Sequence, residues 1–230
     1  MRSRLQRNDT FVDVGANIGY YSLLASALVG PSGHVVAIEP SPSIHEELRR
    51  NVLLNESANV RAVVAAASDA IGVANMYRAG DANRGSSSLL ASRGFEFEAQ
   101  VPTAPLSSLL TAQELSTARI IKIDVEGHEG AVIAGLLPAL AKTRPDLEIL
   151  MEISPNELLE QGFTSGGLVA QLREAGFHAY QIENYYEPHR YIEGRISKHA
   201  QRITNPPDGA VAWDLVFSRE DRDQMPVELV

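Results

Sequence analysis

The sequence predicts an α/β protein built on a doubly wound, mostly parallel sheet, and three observations carry that prediction. Apolar runs with strand spacing alternate with helical ones in a βαβαβ order between residues 10 and 67. A glycine-bearing turn, Asp13-Val-Gly-Ala-Asn-Ile-Gly19, joins the first strand to the first helix, as in nucleotide-binding βαβ units. The last two strands have no crossover helix between them, which makes them antiparallel neighbours.

Residues 1–9 are polar, and Phe11, Val12 and Val14 then form a short buried strand. Gly15 and Gly19 allow a ligand to approach the backbone where a Cβ would intrude. Asn17, between them, tolerates positive φ better than most residues. Asp13 lies near the carboxyl end of the strand, where open α/β sheets bind ligands. Tyr20 to Val29 has helical spacing, and His34-Val-Val-Ala-Ile38 is a second strand that ends at Glu39. An acid at that tip, 20 residues beyond Gly19, suits ribose hydroxyls. Ser41-Pro42 opens a second helix, with Ser43 and Glu46 at capping-box spacing and Ile44, Leu48 and Val52 on one face. Asn59 to Ala67 reads as a third strand, followed by Ser68 and Asp69, the latter placed to accept from an adenine amino group.

Val73 to Tyr77 and Glu98 to Thr103 read as further strands around a polar loop at 80–88, a surface connection or an active-site lid. Arg119 to Val125 is the fourth core strand, with Lys122 and Asp124 on one face. At its end Asp124, Glu126 and His128 crowd the rim that holds Asp13 and Glu39, a costly concentration of ionisable groups unless they act there. Glu129 complements a helix N-terminus, and Val132, Ile133, Leu136, Leu137 and Leu140 form that helix's apolar stripe. Leu147 to Ile153 is the fifth strand, in which Glu152 could orient a hydroxyl or act as a base. Leu168, Val169 and Leu172 mark a helix ending at Gly176. Phe177 to Ile182 is the sixth strand, residues 183–209 are a long connection, and Ala210 to Phe217 is the last strand.

The chain of 230 residues shows no repeat or interdomain linker and reads as one domain, 1–230. Its formal charge of −9 argues against nucleic acid or an anionic membrane as partner. With no cysteine it can form neither a disulfide nor a thiolate site. No apolar run is long enough to span a bilayer and no secretory signal precedes the first strand, so the expected location is cytoplasmic. The histidines other than His128 lack metal-ligand spacing.

Asp13-Val-Gly-Ala-Asn-Ile-Gly-Tyr-Tyr-Ser22, then Glu39-Pro40 and Lys122-Ile-Asp-Val-Glu-Gly-His-Glu129, resembles the FkbM-type S-adenosylmethionine-dependent methyltransferases. The resemblance runs from about Phe11 to Ile153, and its Lys-Ile-Asp-Val-Glu-Gly block is the more specific part. It implies a seven-stranded sheet with one antiparallel strand. It implies that Asp13, Gly15 and the turn hold the methionyl part of S-adenosylmethionine, that Glu39 holds the ribose, and that Ser68 and Asp69 lie near the adenine. The implied reaction is O-methylation of a hydroxyl on a sugar, polyketide or similar small metabolite.

An alcohol needs a base or a metal to become a nucleophile. His128 is the first candidate base, its pKa expected to rise beside carboxylates. Asp124, Glu126 and Glu152 are alternatives, and carboxylates so close could hold Mg²⁺. Tyr180, Tyr185, Tyr186 and Tyr191 suit a ring-shaped acceptor. An NAD-dependent oxidoreductase is a second reading, disfavoured by a Gly-x-x-x-Gly turn in place of Gly-x-Gly-x-x-Gly. A non-catalytic cofactor-binding scaffold is a third.

Overall fold

Strands buried on both faces must be almost continuously apolar, and the centre of this molecule is made of such strands. In the computed structural model, which describes residues 1–79, 87–91, 94–182, 199–204, 206 and 212–226, β1 (Thr10–Val14) is buried at every position. It pairs in parallel with β2 (His34–Ile38) on one side and β8 (Ala118–Ile123) on the other. β3 (Val60–Val63) extends the sheet beyond β2, and β9 (Glu148–Ile153) extends it beyond β8, all in parallel. β12 (Trp213–Ser218) then adds antiparallel to β9, and β10 (His178–Ile182) antiparallel to β12. This is the antiparallel pair that the missing crossover helix predicts.

The sheet does not stop at seven strands. β11 (His199–Ile203) pairs antiparallel with β10, and β13 (Gln224–Pro226) pairs with β11, so the order is β13-β11-β10-β12-β9-β8-β1-β2-β3. Two strands, β11 and β12, therefore oppose the rest, where one was expected. β11 lies within the expected connection 183–209, in a segment too polar for alternation to reveal. Its described residues are mostly exposed, as suits a strand near an edge.

The third strand also departs from expectation. It breaks after Val63, and the chain leaves the main sheet to start β4 (Ala66–Ser68) of a second one. β4 pairs in parallel with β7 (Glu96–Pro105), which pairs antiparallel with β5 (Gly72–Arg78), and the two-residue β6 (Ser87–Ser88) completes the order β4-β7-β5-β6. Most of the polar loop between β5 and β7 lies outside the described residues, as do residues 183–198.

Helices cover the sheet. α1 (Tyr20–Val29) spans its expected range. α2 (Pro42–Leu54) starts from Ser41, whose hydroxyl accepts from the Ile44 backbone N–H, so the cap is Ser41 and not the Ser43–Glu46 pair. α3 (Leu106–Leu109) and α4 (Ala112–Thr117) precede β8, and α4 carries a complete capping box between Thr111 and Glu114. α5 (Glu129–Leu136) tightens into a 3₁₀ turn over Leu137–Lys142 because Pro138 cannot donate to an α-helical ladder. α6 (Pro155–Glu160) and α7 (Ser165–Glu174) follow β9, and Gly176 ends α7 at positive φ as expected. Between α5 and the sheet, Ile121, Ile123, Val132, Ile133 and Leu136 are fully buried. Each such side chain contributes roughly 1.5–3 kcal/mol.

Candidate active site

The site forms where strand order reverses, between β1 and β8, at the carboxyl ends of both strands. Gly15 turns the chain at φ 76°, and a Cβ there would lie 1.8 Å from the carbonyl oxygen of Asp124. The close approach that Gly15 permits is thus to the end of β8, not in the first place to a ligand. A Cβ at Gly19 would meet Leu48 of α2 at 2.5 Å. These two glycines draw β8 and α2 together around the turn. Asn17, at φ 51°, takes the left-handed conformation expected of it.

Asp13 is fully buried. Its Oδ2 accepts from Ser22 Oγ at 2.6 Å, and its Oδ1 faces Lys122 Nζ at 3.6 Å. Lys122 also donates to Asp124 at 3.0 Å and lies over the Tyr21 ring. The common face of Lys122 and Asp124 is therefore realised. Burial pushes the Asp13 carboxyl above its ordinary range despite Lys122. Burial alone would lower Lys122, but Asp13 and Asp124 outweigh it and hold the ammonium charged.

Glu39 is buried at the end of β2. Its Oε2 accepts from the backbone N–H of Asn17 and its Oε1 from that of Ser41, both at 2.9 Å. Burial raises its pKa to about 7, against these two hydrogen bonds. Each oxygen retains a lone pair, as recognition of a vicinal diol requires.

Across the cleft, the turn after β8 runs through Glu126 at φ 53° and Gly127 at φ 101°. A non-glycine residue held in this region costs about 1–3 kcal/mol, the kind of strain found at functional turns. Gly127 cannot carry a side chain, because its Cβ would lie 2.2 Å from that of Glu157. His128 Nδ1 contacts Gln161 Oε1 at 2.7 Å, and Gln161 Nε2 donates to the Gly127 carbonyl. That orientation assigns the proton to Nδ1 and leaves Nε2 basic, 3.2 Å from Ser68 Oγ. Burial lowers the His128 pKa, outweighing the hydrogen bond it donates to Gln161 and the pull of Asp69. The expected rise is thus reversed: desolvation wins over the neighbouring carboxylates.

Ser68, at the end of β4, also lies 3.1 Å from the exposed Asp69 carboxylate, so its one hydroxyl proton serves either Asp69 or His128 Nε2. Gly15, Asn17, Glu39, Asp124, Glu126 and His128 line one cleft with Ala66, Met76, Ser88 and Leu89 of the second sheet. Glu152 does not line it; it lies on β9 directly opposite Asp214 of β12. A larger concavity, about 660 Å³, opens at the amino ends of the strands. Its Asn59 is spent on Ser26 and Gly30, and its Arg61 on Glu114 and Leu109. Those saturated groups leave the smaller cleft as the site.

Two expectations need correction. Among the described residues, no group of three His, Asp or Glu side chains could hold a metal ion, so no such cluster supports the Mg²⁺ expected near Asp124. Tyr180 is fully buried, with its hydroxyl bonded to the Glu220 carbonyl and the Arg222 N–H, and is core rather than acceptor surface. Tyr185, Tyr186 and Tyr191 lie outside the described residues. Glu129 stands in the first turn of α5 as expected, and there it is fully buried, accepts from the Gly127 N–H, and is raised by burial to about 8. Gln161 and Glu98, which hold His128 and the start of α2, went unnoticed because neither sits in a motif. Among the described residues no helix is long and apolar enough to cross a membrane.

The family model described as "Methyltransferase FkbM domain" matches residues 13–179. Methyltransferase sdnD of Sordaria araneosa is 26% identical over 58% of this chain and 62% of its own. Arsenite methyltransferase of Halobacterium salinarum is 36% identical over 23% of this chain and 13% of its own. The aligned regions thus span less than two thirds of these relatives. Methyltransferase FkbM from Methylobacillus flagellatus superposes with a TM-score of 0.53 at 15% identity, covering 94% of this chain and 44% of that one. A Streptococcus mutans methyltransferase structure in complex with SAH gives 0.52 at 8%, covering 94% and 92%. A candidate rRNA methylase from Clostridium thermocellum gives 0.54 at 9%, covering 94% and 91%. At such identities the likeness is one of fold, a Rossmann-like α/β sheet. With an rRNA methylase among the neighbours, these comparisons lend no support to excluding nucleic acid on net charge.

Proposed function

The chain belongs to the FkbM methyltransferase family, and from that premise we propose that it is an S-adenosylmethionine-dependent O-methyltransferase acting on a hydroxyl of a small metabolite, sugar or natural product. The observation that carries this reading is the buried Glu39 carboxylate, fixed by the amides of Asn17 and Ser41 at the mouth of the β1–β8 cleft. The cleft suits the cofactor: Glu39 is assigned to the ribose, Ser68 and Asp69 to the adenine, and Gly15 with the turn to Gly19 to the methionyl end, while Asp13, fully buried on Ser22 and beside Lys122, supports that turn from behind. When bound, S-adenosylmethionine supplies an activated methyl group on a sulfonium.

The protein then has to align an acceptor oxygen, exclude water and remove a proton. His128 suits the last task. Its Nδ1 proton is held by Gln161, its Nε2 is basic, and its lowered pKa keeps it neutral near pH ~7. An acceptor hydroxyl that displaced the Ser68 hydroxyl from Nε2 would donate its proton there. Asp124 and Glu126, on the same cleft, orient the acceptor. Glu152 stands outside this cleft, on β9 opposite Asp214, and is the remaining candidate for acceptor binding.

Calorimetry with S-adenosylhomocysteine tests the cofactor assignment, with NAD as the control. Binding of NAD alone would replace it by a dehydrogenase reading. A mass gain of one methyl group across a panel of hydroxylated small molecules tests the reaction. Cofactor binding without turnover on any acceptor would leave a binding scaffold.

A further inference from the structure

The second sheet reaches the cofactor corner through one carboxylate. Glu98 on β7 accepts from Ser41 Oγ at 2.7 Å and from the Ser43 backbone N–H at 3.0 Å. Arg78 on β5 donates to Ser43 Oγ at 2.9 Å. The same Ser41 donates its backbone N–H to Glu39, whose other oxygen is held by Asn17. A continuous relay therefore runs from the second sheet, through the first turn of α2, to Glu39 and the glycine turn. The cap of α2 does not itself call for this, because Ser41 Oγ already accepts from Ile44 N–H. What Glu98 adds is a rigid tie to another sheet and a negative charge beside the ribose acid.

We propose that Glu98 is a positioning residue for cofactor recognition, clamping Ser41 so that Glu39 stands ready for the ribose hydroxyls and joining the second sheet to the cleft it walls. The inference rests on Glu39 being the ribose acid. The charges that bear on Glu39 are Asp13 of β1 and Glu98 of β7, both of which disfavour its ionisation after the larger effect of burial. Arg78 partly offsets Glu98 from the far side. Asp124, Glu126 and His128 line the opposite wall.

The pH dependence of binding separates a positioning role from simple structural support. Only the Glu39 carboxylate accepts both ribose hydroxyls, so S-adenosylhomocysteine affinity should rise with pH through about 7 and then level off. Glu98→Gln keeps an acceptor for Ser41 but removes the neighbouring charge. Its affinity should level off at lower pH, with near wild-type affinity at about pH 8. Glu98→Ala releases Ser41 and Ser43 and should weaken binding roughly tenfold at every pH, the order expected for losing charge-assisted hydrogen bonds. Melting temperatures of both variants show whether they fold; if Glu98→Ala does not, Glu98→Gln alone decides. An unchanged midpoint in Glu98→Gln would reduce Glu98 to a structural tie and overturn the proposal. Glu39→Gln is the separate control. Unchanged affinity in that variant would remove the ribose assignment itself, whatever Glu98 does.

Discussion

On one wall of the cleft, Asp13 and Asp124 share the ammonium of Lys122. On the other, Glu39 is held by two backbone amides and raised to about 7. The first arrangement sets a cation between its acids, in contacts that a ligand has little reason to change. The second leaves an acid poised near neutrality, whose charge state responds to what enters the cleft. The difference teaches that clustered acids at strand tips do not share one role: Asp13 and Lys122 hold β1 to β8, whereas Glu39 is set to meet a ligand.

The most damaging way to break this division is to force the walls apart. Gly15→Val places a branched side chain at positive φ and into the Asp124 carbonyl. It should cost more than about 3 kcal/mol and abolish S-adenosylhomocysteine binding, read by melting and calorimetry. A folded variant with intact affinity would show that the cofactor does not use this turn.

His128→Ala should lower the chemical step by roughly 10²–10⁴-fold while leaving cofactor affinity nearly intact, as single-turnover rates would show. Because burial lowers its pKa, the rise of turnover with pH should be centred below about pH 6.5. A limb centred above that value would assign the base elsewhere.

Lys122→Met leaves Asp13 buried without its cation and should cost about 3–5 kcal/mol, a fall in melting temperature of about 10 °C. The double variant Asp13→Asn with Lys122→Met should recover most of that loss. Without recovery, Asp13 and Lys122 do not depend on one another as this wall requires.

Glu129→Gln is the mildest test and sharpens the contrast in titration. The folded pKa of Glu129, about 8, lies above its ordinary value of 4.5. Its stabilising contribution is therefore full below pH ~4.5 and is lost as pH rises through about 8. Wild-type stability should fall by up to a few kcal/mol across that interval, and the glutamine variant should flatten the curve, so that it gains on the wild type as pH rises toward 8. A parallel pair of pH–stability curves would sink this assignment.

The central fold was legible because two-sided burial demands apolar runs: β1, β2, β8 and β9 read directly, and α1 runs over its expected residues. The break between Val63 and Ala66 was not legible, because an apolar run looks the same whether it stays in one sheet or passes into another. β11 escaped for the opposite reason, being too exposed to carry a pattern. At the site, Asp13, Glu39, Asp124, Glu126 and His128 announced themselves by crowding ionisable groups at strand ends. The sign of the His128 shift did not follow, since neighbouring charge is visible in sequence order while depth of burial is set by Gln161 and the second sheet. Glu98 and Gln161 reach their partners across 57 and 33 residues, distances at which sequence carries no signal.

The main sheet tapers toward both sides. Its longest strands, β8, β9 and β12, have six residues and lie inside, whereas the outermost, β3 and β13, have four and three. A sheet margin is where another molecule's backbone can add on, and the length of unpaired backbone sets how firmly it holds. Among the described residues β13 offers three, and Pro226 has no N–H to give. The short margins thus act as a guard against self-association through backbone pairing, and concentrated solutions should resist the fibrillar aggregation to which broad, flat sheets are prone.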